Sequence, residues 1–504
     1  MPRGPRGPDQ RTADEFSGET GADRLANAVT FLLQQGDLSQ AIGLLTNPAL
    51  TRRRAFDGLR RAGYSLLLRQ RIHEGIGLLR GVISAGFGTA ESLGWLGLFA
   101  RFAGQRKLAH AAFSESAGKG DPDAWICHHA AMNAHVLGRL DEAMAFAERA
   151  AAGDPGGIAV RAAGGSIRAA IETSAAPTCG RIALHMNREF HYWIQRPIFE
   201  ALRDRHDVIL TDDPLWVQAF DPDFVFVGDT QAENLRSYAP RAKFIQTRHG
   251  LISKSHAFNA ARQCDIVCVS GPSQRDHYVQ EGGFEPERVW VTGYPQMDSL
   301  FRREAPAPPL PLRSEMPCVL YAPTFTPGLS SIDMLGENMV ELMIGDSGNL
   351  DLILKPHPVI RDRFPTWYAW FERAADRAHV HLIAEPKDDI MPFLQRSDIL
   401  VSDASSTVFQ FLALDRPIVL IDNPNRRCSP AYDPKGIEWT RRDVGERIED
   451  VAELAGTIER ALAQPEARIR QRAAVRKELF GDLTDGRAGE RILEHVQALI
   501  DETD

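Results

Sequence analysis

The chain has 504 residues, enough for two or three domains, and 58 Lys+Arg against 67 Asp+Glu leave a formal net charge of −9. That balance offers no basic face for nucleic acid, and the six scattered cysteines fall in no zinc spacing and fit buried, reduced thiols in a reducing cytoplasm. No apolar run approaches the length that spans a bilayer, and Met1 to Thr20 is too polar for a secretory signal, so membrane contact is expected to be peripheral.

Residues 1–21 are rich in Gly, Pro, Arg and Asp and read as a disordered tail. Residues 22–175 read as helix pairs. Gly36, Gln70, Gly104 and Gly138 lie 34 apart, and five positions after each comes a small residue: Ala41, Gly75, Ala109, Ala143. A helix–turn–helix period of 34 is the tetratricopeptide spacing, and Pro155 stands where such a repeat often ends. Stacked repeats offer a concave surface to a protein partner or an acceptor. The alternative is that they only brace the rest.

Residues 180–301 alternate apolar runs with helical patterns: Arg181–His185, Val208–Leu210, Phe224–Val227, Phe244–Ile245 and Ile266–Val269 are the expected strands. Such alternation predicts a parallel, doubly wound sheet. Pro306, Pro308, Pro309 and Pro311 mark a linker over 302–316. A second α/β domain is expected over 317–440. Residues 441–504 read as helices, at Asp450–Gln464, Glu466–Phe480 and Gly489–Asp501. The fold class is α/β, two Rossmann-like domains preceded by an all-α solenoid.

Five of the strand-like runs end in polar elbows: Thr247 into Arg248-His249-Gly250, Val291 into Thr292-Gly293-Tyr294-Pro295, Tyr321 into Ala322-Pro323-Thr324, Leu354 into Lys355-Pro356-His357-Pro358, and Val401 into Ser402-Asp403-Ala404-Ser405-Ser406-Thr407. In an open parallel sheet the carboxyl ends of strands face the ligand crevice. After the last elbow an amphipathic helix is expected, with Val408, Phe411, Leu412 and Leu414 on its apolar face. Hydroxyl residues at its mouth suit either phosphate or plain N-capping.

The order QTRHG, GYPQMD, YAPTF, KPHP, SDASSTVFQFLALDRP, across about residues 180–430, resembles the CDP-glycerol glycerophosphotransferases that build teichoic-acid-like and capsule polymers. The resemblance implies a GT-B pair of Rossmann-like lobes, with the acceptor on the first and a CDP-linked donor on the second. It also implies terminal helices crossing back onto the first lobe. The implied activity is transfer of a glycerol- or ribitol-phosphate to a glycan, lipid-linked or protein hydroxyl, with no cofactor and no metal, in the cytoplasm or at the inner face of the membrane. Arg248, Gln296, Met297 and Gln410 depart from the family pattern. A GT-B glycosyltransferase using a CMP- or UDP-linked sugar is therefore the first rival, and a repeat-based docking protein with an inactive transferase half is the second.

His249 is a candidate general base, because imidazole titrates near neutral pH and Gly250 lets the backbone turn sharply. Lys355 and His357, stiffened by Pro356 and Pro358, are candidates to neutralise a departing diphosphate, and the resemblance gives this histidine donor contact or catalysis. Ser405, Ser406 and Thr407 are candidates for the diphosphate. Asp403 would orient Lys355 or His357, accept from a sugar or polyol hydroxyl, or cap the helix. Thr324 would bond phosphate or cap a turn. Asp298 would fix its loop, and His185, Asn187 and His191 are weak acceptor-side candidates.

Overall fold

A computed structural model describes residues 21–120, 122–173, 180–228, 232–247, 251, 257–345, 349–385 and 387–502. Residues 1–20 of the tail expected over 1–21, and the elbow residues Arg248, His249 and Gly250, lie outside them, while Gly21 already belongs to the first helix. The chain divides into two compact units: Met1–Ala183 with Arg205–Pro222 and Asn234–Pro240, and Leu184–Asp204 with Asp223–Glu233 and Arg241–Asp504.

In the first unit, eight helices form four hairpins: α1 (Gly21–Gln34) with α2 (Leu38–Leu45), α3 (Arg52–Leu68) with α4 (Ile72–Val82), α5 (Ala90–Phe102) with α6 (Arg106–Lys119), and α7 (Ala124–Val136) with α8 (Leu140–Gly153). The residues spaced by 34 all do one job. Gly36, Gln70, Gly104 and Gly138 take φ of 79°, 58°, 73° and 71°, the left-handed region that ends a helix. The residue after each sends its N–H back five positions, to the carbonyls of Leu32, Leu66, Ala100 and Ala134. The left-handed residue itself bonds three back, to Leu33, Leu67, Arg101 and His135. This is the Schellman closure, made four times.

The small residues five positions later are the points of close approach. Ala41, Ala109 and Ala143 are fully buried, and a Cβ built on Gly75 would enter the Phe99 ring. α9 (Ile158–Thr173) follows the fourth hairpin and packs on α8. It lies against the strand Asp207–Thr211, where the Ser166 hydroxyl bonds the Leu210 N–H at 2.8 Å.

A buried polar cluster completes this unit. Arg101 pairs with Asp213 at 2.8 Å and holds that carboxyl down at about 2 against the effect of burial. His129 lies 3.2 Å from Arg101, and the Trp216 indole donates to His135 at 3.3 Å. Burial drives the pKa of His128 and of His135 down to about 4, and that of His129 well below its ordinary value.

Two six-stranded sheets follow. The first has the order β2-β1-β3-β4-β5-β6, with β1 (Arg181–His185), β2 (Asp207–Thr211), β3 (Phe224–Val227), β4 (Lys243–Thr247), β5 (Ile266–Val269) and β6 (Val289–Val291); β3 to β6 pair in parallel. The helices α10 (His191–Leu202), α11 (Pro214–Phe220) and α12 (Pro272–Gln280) belong with it. The second has the order β12-β11-β10-β7-β8-β9, all parallel, with β7 (Cys318–Tyr321), β8 (Asp351–Leu354), β9 (Val380–Leu382), β10 (Ile399–Ser402), β11 (Ile418–Ile421) and β12 (Glu446–Ile448). These are the two lobes of a GT-B-type fold.

Both faces of the second sheet are buried, as a parallel sheet requires. Val319, Tyr321, Leu352, Leu354, Ile399 and Val401 enter one core; Cys318, Leu320, Ile353 and Leu400 enter the other. Continuous apolar runs are the result. The domain boundary expected at 440 is corrected, because β12 pairs with β11 and carries the second sheet to Ile448. The segment after Thr407 also differs from expectation. It is a five-residue helix, α13 (Thr407–Phe411), running into a tighter turn at Leu412–Leu414. Every residue from Thr407 to Leu414 is buried, so no amphipathic face is needed.

Three helices close the chain: α14 (Leu454–Ala463), α15 (Ile469–Phe480) and α16 (Ala488–Asp501). α16 packs on α10 of the first lobe, and His495 stacks on Trp290 with centroids 4.6 Å apart. Its N-terminus is sealed by Asp298, whose carboxylate accepts from Ala488 N at 3.0 Å and Gly489 N at 2.9 Å.

Candidate active site

Three elbows meet on one sheet edge for a reason of register. Tyr321 stands opposite Val401 on one side and Leu354 on the other. The next residue on each strand, Ala322, Ser402 and Lys355, therefore shares the carboxyl edge, about 4.8 Å from strand to strand.

Asp403 is buried at this edge, 1% exposed. Its carboxylate accepts from Thr324 N at 2.8 Å, Ser331 N at 2.7 Å and the Ser331 hydroxyl at 2.8 Å. Ser331 is in turn bonded to the Tyr321 hydroxyl at 2.8 Å. The Asp403 carbonyl accepts from Arg442, which is paired with Asp422. Burial lifts the Asp403 carboxyl to about 6 although these N–H donors oppose it. Asp403 thus ties the loop after β7 to the loop after β10. This geometry supports neither orientation of Lys355 or His357 nor helix capping, and the protein's own donors already occupy both of its oxygens. Ser331 and Arg442 complete the brace; neither sits in a motif, and nothing in the sequence marks them.

Lys355 is 7% exposed. Burial lowers its pKa to about 8, while Asp388, Asp389 and Glu385 favour the ammonium. His357 is half-buried against Phe325, with centroids 4.4 Å apart. Its Nδ1 accepts from Val359 N at 3.3 Å, which puts the proton of the neutral ring on Nε2. The imidazole is then set as a donor at its outer nitrogen.

At the helix mouth, Ser405 accepts from Thr407 N at 3.4 Å and donates to the Thr407 hydroxyl at 3.2 Å. Ser406 has helical backbone angles and makes no side-chain cap. The hydroxyls therefore form a short turn and not an N-cap, one of the two roles open to them from sequence. Thr324 contributes its backbone N–H to the brace.

On the first lobe, the QTRHG elbow begins at Thr247, which is buried and whose hydroxyl accepts from the Gln195 side chain at 3.1 Å. His249 and Gly250 lie just beyond, outside the described residues. A small pocket at the ends of β4, β5 and β6 is lined by Thr247, Ser270, Gln274 and Tyr294 among others. Gly293 turns there with φ of 92°. His185 and His191 are buried and Asn187 is exposed. Asp298 is placed at the start of α16 and not at the edge. Lys355, His357, Thr324, Asp403 and Ser405–Thr407 are brought together on the second lobe.

A 29% identical stretch of 161 residues is shared with the teichoic acid glycerol-phosphate primase of Bacillus spizizenii, covering 31% of this chain and 39% of that protein. The chain thus matches well under half the length of this curated relative. Among solved structures, the wall teichoic acid polymerase TagF superimposes with a TM-score of 0.48 at 13% identity, covering 75% of this chain and 98% of that one. A putative UDP-N-acetylglucosamine 2-epimerase from Listeria monocytogenes gives 0.44 at 16% identity, covering 64% and 97%. The profile of the CDP-Glycerol:Poly(glycerophosphate) glycerophosphotransferase family matches residues 181–498, and the chain belongs to that family.

Proposed function

We propose that the chain transfers a polyol phosphate, of the glycerol- or ribitol-phosphate type, from a CDP-activated donor to a hydroxyl of a glycan, lipid-linked or protein acceptor. The observation that carries this reading is the shared sheet edge of Lys355, His357 and Ser405–Thr407 in a chain of this family. His249 takes the proton from the acceptor hydroxyl. The acceptor oxygen attacks the phosphorus that bears the polyol, and the bond from that phosphorus to the bridging oxygen breaks. CMP leaves, with His357 Nε2–H donating to it and the Lys355 ammonium holding the charge that develops. This is catalysis by position and electrostatics. Purified protein given CDP-glycerol or CDP-ribitol with a polyol or glycan acceptor is expected to release CMP; no release with either donor overturns the reading. Stabilisation by UDP but not by CDP in a thermal-shift series favours the nucleotide-sugar rival.

No helix among the described residues is long and apolar enough to cross a membrane. The place of action we propose is the cytoplasmic side of the membrane, with peripheral contact. Phe31, Leu38, Tyr64 and Leu68 support it, being large exposed apolar side chains on the first two hairpins, beside the exposed Arg60 and Arg69. Sedimentation with anionic but not zwitterionic vesicles is the expected result.

A further inference from the structure

We infer that Phe325 is a positioning residue for His357, fixing the imidazole so that Nε2 stays its outer, donating nitrogen. The inference deepens the proposed transfer and rests on it for its meaning in catalysis. The two residues meet because their elbows leave neighbouring strands in register. Lys355 N donates to the Tyr321 carbonyl at 2.9 Å, so the ladder between β7 and β8 runs almost to His357. Phe325 follows Tyr321 in the elbow on the other side of that ladder. The two rings come together with centroids 4.4 Å apart and planes inclined at 42°.

The phenyl ring is the anchored member of the pair. Phe325 is half-buried and packs against the core that Val319, Tyr321, Leu352 and Leu354 enter. Its loop is tied at both ends to the Asp403 carboxylate, by Thr324 N at 2.8 Å and Ser331 N at 2.7 Å. Between those ties the Leu329 and Ser330 N–H groups close on the Thr326 carbonyl at 3.1 and 2.9 Å. For His357, Pro356, Pro358 and the Ile360 N–H on its carbonyl at 2.8 Å settle the backbone. The torsion that turns an imidazole about its Cβ–Cγ bond is nevertheless broad and roughly two-fold. The Val359 N–H reaches Nδ1 at 3.3 Å, longer than the usual N–H bond. The two restraints are complementary. Phe325 confines the plane of the imidazole, and the Val359 N–H selects between the two opposite settings of that plane. In the wrong setting a ring carbon would stand where Nε2 donates. The orientation of His357 that Asp403 does not supply, Phe325 does.

The test is nuclear magnetic resonance of the full chain with isotopically labelled histidine ring nitrogens, beside the kinetics of CMP release from CDP-glycerol. His357→Gln assigns the His357 signals among the 15 histidines. At mildly alkaline pH the unaltered chain is expected to show His357 with Nδ1 bare and Nε2 protonated. Phe325→Leu is expected to draw the two nitrogen signals toward each other as the tautomers mix. It is also expected to lower kcat by about 10–10²-fold with KM for CDP-glycerol little changed. Phe325→Tyr, which keeps the ring, restores both readings, and Phe325→Met serves if Phe325→Leu does not fold. Unmoved nitrogen signals or an unchanged kcat in the folded ringless variant overturns the inference, as does a Phe325→Tyr chain as impaired as Phe325→Leu. The kinetic arm rests on the proposed transfer, but the spectroscopic arm does not. Absence of CMP release from the unaltered chain therefore defeats the transfer reading, while the nitrogen signals still decide whether Phe325 sets the imidazole.

Discussion

The helical hairpins and the carboxyl edge of the second sheet both have to fix turns, and they do so by opposite means. Each hairpin turn closes with bonds reaching three and five residues back, and the same closure is made four times. The turns at the sheet edge are closed through Asp403, whose partners lie 79 and 72 positions away. A local closure can be weakened one turn at a time. A closure that passes through one carboxylate fails at several loops together. The two regions also respond to acid in opposite senses. In the hairpin unit the neutral forms of His128 and His135 are favoured by burial, so their contribution is present above the ordinary histidine pKa of 6.5 and is lost as pH falls through about 4. Asp403, raised from 3.8 to about 6, contributes below 3.8 and loses that contribution as pH rises through about 6.

The largest effect that would sharpen this contrast is on chemistry alone. His249→Ala and His357→Ala are each expected to lower the rate of CMP release by about 10²–10⁴, with the circular dichroism and melting temperature near those of the unaltered chain. Asp403→Ala strands two N–H groups and a hydroxyl, and is expected to cost about 3 kcal/mol in urea unfolding as well as activity. A loss below about 1 kcal/mol would break the comparison. Acidification from pH 6.5 to 4 is expected to strip hydrogen-exchange protection from α5 and α7 before the loops around Thr324 and Ser331 lose theirs. The reverse order would show that the buried histidines are not what weakens the hairpins. Gly75→Ala drives a methyl group into Phe99 and is expected to cost about 1–3 kcal/mol, with Ala41→Gly far milder. The smallest effect has the other sign. Gln70 alone among the four turn residues carries a side chain at positive φ, and Gln70→Gly is expected to raise stability by up to about 1 kcal/mol.

Much of this organisation was legible in sequence because the signals were short-range. The period of 34 marks a left-handed residue and a close approach, each needing glycine or another small side chain at a fixed offset. The strand cores read as unbroken apolar runs because both faces of the second sheet are covered. β9 and β12 carry little sequence signal because they are three-residue edge strands that include His381 and Arg447. The length and packing of α13 are not legible in sequence, because periodicity in eight residues cannot distinguish a half-buried helix from a fully buried one. Asp403 stands out in sequence by its place in an elbow, but its bracing role does not. Only three dimensions bring Ser331 against its carboxylate.

The seal that Asp298 places on α16 has a bearing on biosynthesis. The carboxylate and the N–H groups it receives are separated by 190 and 191 positions. At translation rates of about 5–20 residues per second, roughly 10–40 s pass between the two leaving the ribosome. Throughout that interval the nascent first lobe holds a carboxylate with no helix to cap and an uncovered Trp290. A chain stopped before Ala488 would leave the Asp298 carboxylate and the Trp290 ring without these partners.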